Sequence, residues 1–300
     1  MMINNNQYIK IINFLINLRF FFYGILFFIY NKLLIIFFIL FCYNIAIAAP
    51  KNCLSNFNLE LTPGALIAHA SGGLDNKIYL NSEESFRHAY KLGYKFFEID
   101  LNLTADNIFV GVHSWDDWKH INQITNFQAI PTYKQITEVN KKAKYKTITE
   151  DFINKIMQTY PEIIIVTDKV TDYDLLAKRI PFSKRMLIEV FDANGLKQAI
   201  NAGFDFPMPS YLHNPKEIIN LIKSSKTRYF AIHTATFNNS FNDSIMEQLV
   251  ASGACIAVYS SNISNYVKKF YDIGGFAVYS DFIPQNSFEY SCKGEWCKNY

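Results

Sequence analysis

Glu83-Glu84-Ser85-Phe86-Arg87-His88-Ala89-Tyr90-Lys91-Leu92-Gly93-Tyr94-Lys95-Phe96-Phe97-Glu98-Ile99-Asp100-Leu101 holds, in nineteen residues, the unit from which this chain is built. A helical stretch over Glu83–Leu92 follows Ser82, a residue whose side chain can cap free amides. Gly93 then stands where a helix ends in a left-handed residue, which is inexpensive only for glycine. The run Lys95–Leu101 reads as a buried strand. It carries two acids at alternate positions. Side chains at i and i+2 of a strand share a face and lie about 6–7 Å apart, so Glu98 and Asp100 enter one space. Two carboxylates in an apolar interior are strongly unfavourable unless a cation or hydrogen-bond donors compensate.

The same cadence recurs downstream. Strands are expected at Ala65–His69, Lys95–Leu101, Ile163–Asp168, Met186–Val190, Phe204–Met208, Tyr229–Thr234, Cys255–Ser260 and Phe276–Asp281. Helices are expected at Glu83–Leu92, Thr149–Tyr160, Asp172–Arg179, Asp192–Ala202, Pro215–Lys223, Asn242–Ser252 and Ser264–Ile273. Gly203, Gly253 and Gly274 repeat the helix–glycine–strand junction of Gly93. Eight strands alternating with helices predict a (β/α)8 TIM barrel. The apolar run Ile108–His113 falls outside this alternation. Too few residues separate it from the second strand for a parallel crossover, which needs a dozen or more. It must return antiparallel, with Asp106-Asn107 as the turn. The segment His113–Lys146 then reads as a long loop inserted over the barrel mouth.

Ahead of the barrel, residues 8–49 are almost entirely Ile, Leu, Phe, Tyr, Asn and Ala, interrupted by Lys10, Arg19 and Lys32. This is a targeting or membrane element rather than core, dividing the chain into a leader or anchor (1–49) and a barrel domain (50–300). Ala46-Ile47-Ala48-Ala49-Pro50 offers the small residues of a cleavage site, whereas Phe20–Tyr30 with Leu33–Ala49 is long enough to span a bilayer. Both readings export the barrel as a periplasmic, secreted or membrane-tethered domain. A two-helix hairpin turning at Asn31-Lys32 would leave it in the cytoplasm. In an oxidising compartment Cys292 and Cys297 can close a small disulfide loop; Cys53 lies near the start of the mature chain, and Cys255 falls in a strand pattern. With 29 basic and 26 acidic side chains and no block of like charge, nothing points to nucleic acid.

His69 ends the first strand and precedes Ala70-Ser71-Gly72-Gly73, small residues that permit close approach of a ligand. His113 ends the hairpin strand, which can fold it back over the same mouth. Active sites of such barrels lie at the C-terminal strand ends. Two imidazoles beside a metal-bound diester would supply a base and an acid. Glu189 and His233 also end strands; a solvated end explains Glu189 equally well, and structural hydrogen bonding is the better reading of His233 than lining the pocket. Trp115 and Trp118 in the insertion can contact a head group or acyl chain, or can pack on each other.

Taken in order, His69 with its glycines, Asn81-Ser82, Gly93, Glu98-Ile99-Asp100, Thr104, Asp106 and His113 resemble the glycerophosphodiester phosphodiesterase family of the phospholipase C-like superfamily. The resemblance spans Leu66–Ile283 and is dense only in its first fifty residues. It implies that Glu98, Asp100 and Asp168 bind a divalent cation, Mg2+ or Ca2+, and that His69 and His113 form the acid–base pair. It further implies that a neighbouring substrate hydroxyl or water attacks phosphorus; Asn81, Lys169 and, from its place in the insertion, Trp115 are expected to contact a small-molecule or lipid-derived phosphodiester. Tyr279-Ser280-Asp281 resembles the family's closing strand. Three departures stand out: Ala70 where the family has Arg, Ser114 where it has Asp, and a Lys at 169 rather than 170. On a continuing strand Lys169 would face away from Asp168, but it can still reach the site if the strand ends at Asp168. These departures keep open two rival functions, a phospholipase D-like action on a membrane phospholipid and a barrel that binds phosphate or glycan without turnover.

Overall fold

The computed structural model describes residues 53–61, 64–125 and 129–287. The chain divides into the units Met1–Ala48 and Ala49–Tyr300, of which only the second contains described residues. The leader or anchor and the pair Cys292 and Cys297 lie outside them.

Among the described residues, nine strands form one sheet system: β1 Ala65–Ala68, β2 Phe96–Leu103, β3 Phe109–Gly111, β4 Ile164–Asp168, β5 Met186–Val190, β6 Phe206–Pro209, β7 Tyr229–His233, β8 Cys255–Tyr259 and β9 Ala277–Ser280. Eight of them run parallel in the order β6-β5-β4-β2-β1-β9-β8-β7. The end strands β6 and β7 pack side by side, giving a nearly closed barrel. All eight strands expected from the sequence are present. β6 begins two residues later than expected, at Phe206.

The helices are α1 Glu83–Lys91, α2 Trp115–Ile121, α3 Tyr133–Asn140, α4 Glu150–Thr159, α5 Tyr173–Arg179, α6 Ala193–Asn201, α7 Pro215–Ser224, α8 Thr234–Ser240, α9 Asp243–Ala251 and α10 Ser264–Asp272. Ser82, Thr149, Asp192 and Asn214 each cap a helix with the side chain, as their positions suggested. Gly93, with φ of +92°, occupies the left-handed junction expected of it.

Alternation along the strands divides the apolar side chains into two layers. Leu66, Phe97, Ile99, Ile165, Ile188 and Val278 face the helices. Ala65, Ile67, Phe96, Val166, Leu187 and Ala257 fill the barrel interior. Phe96 points inward, so Glu98 and Asp100 do too. Parallel pairing of β2 and β4 sets Glu98 beside Val166 and Asp100 directly beside Asp168. That register brings the carboxylates together at the C-terminal rim.

β3 returns antiparallel on β2, with Leu101 opposite Gly111 and Leu103 opposite Phe109. The hairpin is therefore as expected, closed by Thr104 and Asp106 through an Oγ1–Oδ1 hydrogen bond of 2.8 Å and by Asn107 at φ +58°. The insertion is a correction. It is not a structureless loop, because α2 and α3 occupy much of it. Ser114 accepts from the amide of Asp117, and Thr132 forms a reciprocal capping box with Gln135; these caps start two short helices amid polar residues. Their apolar sides meet Val110 and Val112 through Trp115, Trp118 and Ile136. The short α8, poor in strong helix formers, was also not anticipated.

Cysteine pairing adds a bond that the sequence left open. Cys53 is joined to Cys255 across 202 residues. Cys255 lies on β8 near the lower end of the barrel, where the segment containing Cys53, Leu54 and Phe57 packs under the interior.

Among the described residues, no helix is long and apolar enough to cross a membrane.

Candidate active site

Glu98, Asp100 and Asp168 converge so that one oxygen from each lies within 4.8 Å of the others. The carboxylates of Glu98 and Asp100 are almost wholly buried, and the side chain of Asp168 is 13% exposed. Glu98 and Asp100 are held from behind. The amide of Ala70 donates to Glu98 Oε2 at 2.6 Å. Asn81 grips Asp100 at both ends: its Nδ2 donates to Asp100 Oδ2 at 2.8 Å, and its Oδ1 accepts from the Asp100 amide at 3.0 Å. Asn81 is thus engaged with a site carboxylate.

Burial pushes the Glu98 carboxyl well above the usual range, and the neighbouring charges of Asp100 and Asp168 push it further, against the amide of Ala70. Burial, then Asp100 and Glu189, push Asp168 up to about 8, even with Lys169 alongside. Crowded anionic oxygens in a poorly solvated rim demand positive charge.

Lys169 supplies some of it. β4 ends at Asp168, and Lys169 adopts φ of +59°, turning the backbone so that its side chain does not continue the strand alternation. Its Nζ lies 2.6 Å from Asp168 Oδ2 and 3.4 Å from Asp100 Oδ1. Burial alone would lower the ammonium pKa, but Asp168 and Asp100 outweigh that and raise it.

The residues fit a divalent cation. Three hard oxygen donors face one point, and Asp168 Oδ1 is a buried oxygen with no hydrogen-bond partner. Ala70 and Asn81 are the donors that orient two of the ligands.

Two histidines flank this cluster. Nδ1 of His69 lies 3.1 Å from Asp281 Oδ1. Asp281 is in turn fixed by Asn262, whose Nδ2 donates to Asp281 Oδ2 at 2.8 Å and whose Oδ1 accepts from its amide at 2.8 Å. Burial opposes the charged imidazole of His69, but Asp281, assisted by Asp100 and Asp168, holds its pKa above the usual value. Nδ1 of His113 lies 2.7 Å from Asp117 Oδ2, which also accepts from Ser114 Oγ at 2.6 Å. Burial disfavours the Asp117 anion, but the hydrogen bonds from His113 and Ser114 prevail and lower its pKa. Ser114 follows His113 where the family pattern has Asp; here the carboxylate comes from Asp117, one helical turn along α2. With Nδ1 of each ring on a carboxylate, Nε2 is the atom left to act on a substrate.

Other residues complete the rim. Glu189 at the end of β5 is buried and accepts from the hydroxyl of Tyr279; burial raises its pKa to about 7 against the bonds from Tyr279 and Ser210. His233 caps α8, its Nδ1 accepting from the Ala235 amide at 3.2 Å, which bears out the structural reading. Trp115 packs edge-on against Trp118, with 6.0 Å between ring centroids. Trp118 is buried, and its Nε1 donates to Thr147. A cleft beside His113 is lined by Tyr79, Asp117, Trp118, Asn122 and Tyr145.

Sequence reasoning singled out the three carboxylates, both histidines, Asn81 and Lys169. It gave no site role to Asp117 or Tyr79. Asp281 stood in a recognised closing strand, and its place at a C-terminal strand end was the signal that it faces the mouth. For Tyr79, whose ring stands beside both histidines, the sequence offers no signal.

Fold and site together define an α/β barrel whose rim carries a converging acidic cluster suited to a cation and two carboxylate-backed histidines. Residues 73–176 match the model of the Glycerophosphoryl diester phosphodiesterase family. Solved structures agree on the fold. A glycerophosphodiester phosphodiesterase from Parabacteroides distasonis superposes with a TM-score of 0.58 at 18% identity, covering 76% of this chain and 96% of that one. One from Thermotoga maritima gives 0.56 at 15% identity, covering 75% and 96%. An Oleispira antarctica phosphodiesterase in complex with the product sn-glycerol-3-phosphate gives 0.56 at 17% identity, covering 75% and 95%. No curated protein matches the chain in sequence.

Proposed function

We propose that the chain is an exported phosphodiesterase that hydrolyses a glycerophosphodiester-type substrate with a divalent cation, Mg2+ or Ca2+, held by Glu98, Asp100 and Asp168. The observation that carries this reading is that three converging carboxylates share the barrel mouth with His69 and His113, each backed at Nδ1 by an aspartate. The product named for the Oleispira antarctica phosphodiesterase supports a small glycerol-phosphate substrate.

A cation in this place supplies positive charge to a non-bridging phosphate oxygen. Lys169 Nζ, already at the acidic rim, adds a second positive group for the phosphate, in place of the Arg absent at Ala70. Of the two imidazoles, one takes the proton of the attacking hydroxyl or water at Nε2 and the other gives a proton to the departing alkoxide. Asp281 and Asp117 fix which ring nitrogen carries the proton and which way each ring faces. Asn81 keeps Asp100 in place, and Trp115 offers an aromatic surface for the head group at the edge of the insertion. The Cys53–Cys255 disulfide supports export, because such bonds persist in oxidising compartments. The apolar residues 8–49 support a position close to a membrane.

The test is turnover of glycerophosphocholine, glycerophosphoethanolamine and an intact phospholipid by the full chain, with Mg2+ or Ca2+ and again with excess chelator. Release of glycerol phosphate that the chelator abolishes supports the proposal. Hydrolysis of the phospholipid alone would move the activity to a membrane substrate, and binding without product would make the barrel a phosphate receptor.

A further inference from the structure

Resting on the phosphodiesterase reading, we infer that Tyr79 is a positioning residue which sets the spacing and tilt of the two catalytic imidazoles. Its ring centroid lies 4.9 Å from that of His69, nearly edge to face at 74°, and 4.4 Å from that of His113, tilted by 34°. One aromatic ring therefore touches both members of the acid–base pair, which follow different strands.

Such a wedge answers a geometric need. Each histidine is tied through Nδ1 to one carboxylate, His69 to Asp281 and His113 to Asp117. One hydrogen bond leaves an imidazole free to swing about the donor–acceptor line, and the outer torsion of histidine has broad minima. A second contact on the ring face or edge removes that freedom. Placing the same ring against both imidazoles also fixes their separation, because Tyr79 cannot be compressed.

The backbone shows that the position is constrained. Tyr79 has φ of +56°, a region that bulky residues rarely occupy. Asn81, two residues on, has φ of +44°. The loop is pinned on both sides: the Asn81 amide donates to the Ala70 carbonyl and the Ile148 amide to the Asn81 carbonyl, each at 2.9 Å. Leu80 between them is buried. Through Asn81 this same loop grips Asp100. One short, pinned segment thus aligns the acid–base pair with a carboxylate of the cation site.

The experiment compares the full-length wild type with Tyr79→Leu and Tyr79→Phe in glycerophosphodiester hydrolysis, with His69→Ala and His113→Ala as references. Spectra of histidine-labelled protein report the imidazole protons independently of turnover. Tyr79→Leu is expected to lower kcat about 10- to 100-fold, as small misplacements of reacting groups do, while KM stays within about 3-fold. It should also shift and broaden the signals that His69→Ala and His113→Ala assign. Tyr79→Phe keeps the ring and should restore most of the rate. Wild-type turnover with an unaffected kcat in Tyr79→Leu, unchanged imidazole signals, or a Phe variant as impaired as the Leu variant would each overturn the positioning role while leaving the phosphodiesterase reading intact. A wild type without turnover, or histidine variants as active as wild type, would overturn that reading and the positioning role with it.

Discussion

Lys169 Nζ lies 3.4 Å from Asp100 Oδ1, although Lys169 is adjacent to Asp168 in sequence and a continuing strand would send the two side chains to opposite faces. The left-handed backbone at Lys169 resolves the conflict. This suggests a clean variant. Lys169→Gly keeps a residue that adopts positive φ freely and removes the ammonium. Loss of a charged contact worth about 1.5–3 kcal/mol should lower kcat/KM about 10- to 100-fold, with the fold intact by circular dichroism. Divalent-cation binding, followed by calorimetry, should be unchanged or tighter, because a competing positive group has gone. Weaker cation binding together with full activity would show that Lys169 serves the carboxylates alone.

The raised pKa values of the acidic rim predict how stability and cation binding depend on pH. For Asp168, ordinarily near 3.8 and here about 8, the cation-free folded state retains a proton that the unfolded state has released. This contribution to stability is complete below the unfolded value and disappears as pH rises through the folded one. Without divalent cations, Tm should therefore decline between about pH 4 and 8 from this source. Added Mg2+ or Ca2+ should reverse the decline, most strongly at the alkaline end, with protons released on binding. Replacing Glu98, Asp100 and Asp168 together by their amides should abolish the cation effect and flatten this component of the profile. Scanning calorimetry across pH, with and without chelator, reads all three outcomes.

The parts of the molecule that were legible in sequence are those fixed by local pattern. Strand alternation, the helix caps at Ser82, Thr149, Asp192 and Asn214, and the glycine junctions each depend on a few neighbouring residues, so the eight-stranded barrel could be counted directly. The same alternation placed Glu98 and Asp100 on one face. What was not legible depends on residues brought together from far apart or on unusual backbone. No pattern links Cys53 to Cys255 across 202 residues. Asp117 sits on α2, a short helix in a segment whose polar composition reads as loop, so its carboxylate could not be set against His113. Tyr79 depends on positive φ, which nothing about a tyrosine announces, and Lys169 was legible as a site residue while the left-handed turn that brings it there was not.

The two histidine–aspartate pairs should respond differently to loss of charge. Asp281 is 4% exposed, whereas the Asp117 side chain is 46% exposed. Asp281→Asn keeps the size but removes the charge that holds His69 protonated above its usual pKa, so any pH limb reporting His69 should move to lower pH. The more exposed Asp117→Asn should cost less than His113→Ala, whose loss should approach the ~10²–10⁴-fold of a missing acid or base. Rate profiles from about pH 5 to 9 on one diester test this, since that range brackets ordinary histidine titration. An Asp281→Asn profile superimposable on wild type would remove Asp281 from the proton chemistry.

The disulfide should matter for stability and not for turnover, because it lies at the end of the barrel opposite the carboxylates. Cys53 opens a segment that packs under the interior through Phe57, whose ring lies 5.5 Å from Phe96 and 4.8 Å from Phe206. Tyr229 donates its hydroxyl proton to the Cys53 carbonyl at 2.7 Å. These contacts hold the segment in place without the covalent bond, so reduced protein should still fold. A cross-link closing a loop of this length is worth at most about 5 kcal/mol on chain-entropy grounds, and packing already present in the unfolded chain reduces that figure. At about 2–4 °C per kcal/mol for a domain of this size, reduction or Cys255→Ser should lower Tm by roughly 5–15 °C. Activity at 25 °C should be retained. Equal Tm values for oxidised and reduced protein would mean that the bond constrains the unfolded chain little. A loss of turnover without a loss of folded protein would mean instead that the lower end of the barrel is coupled to its mouth.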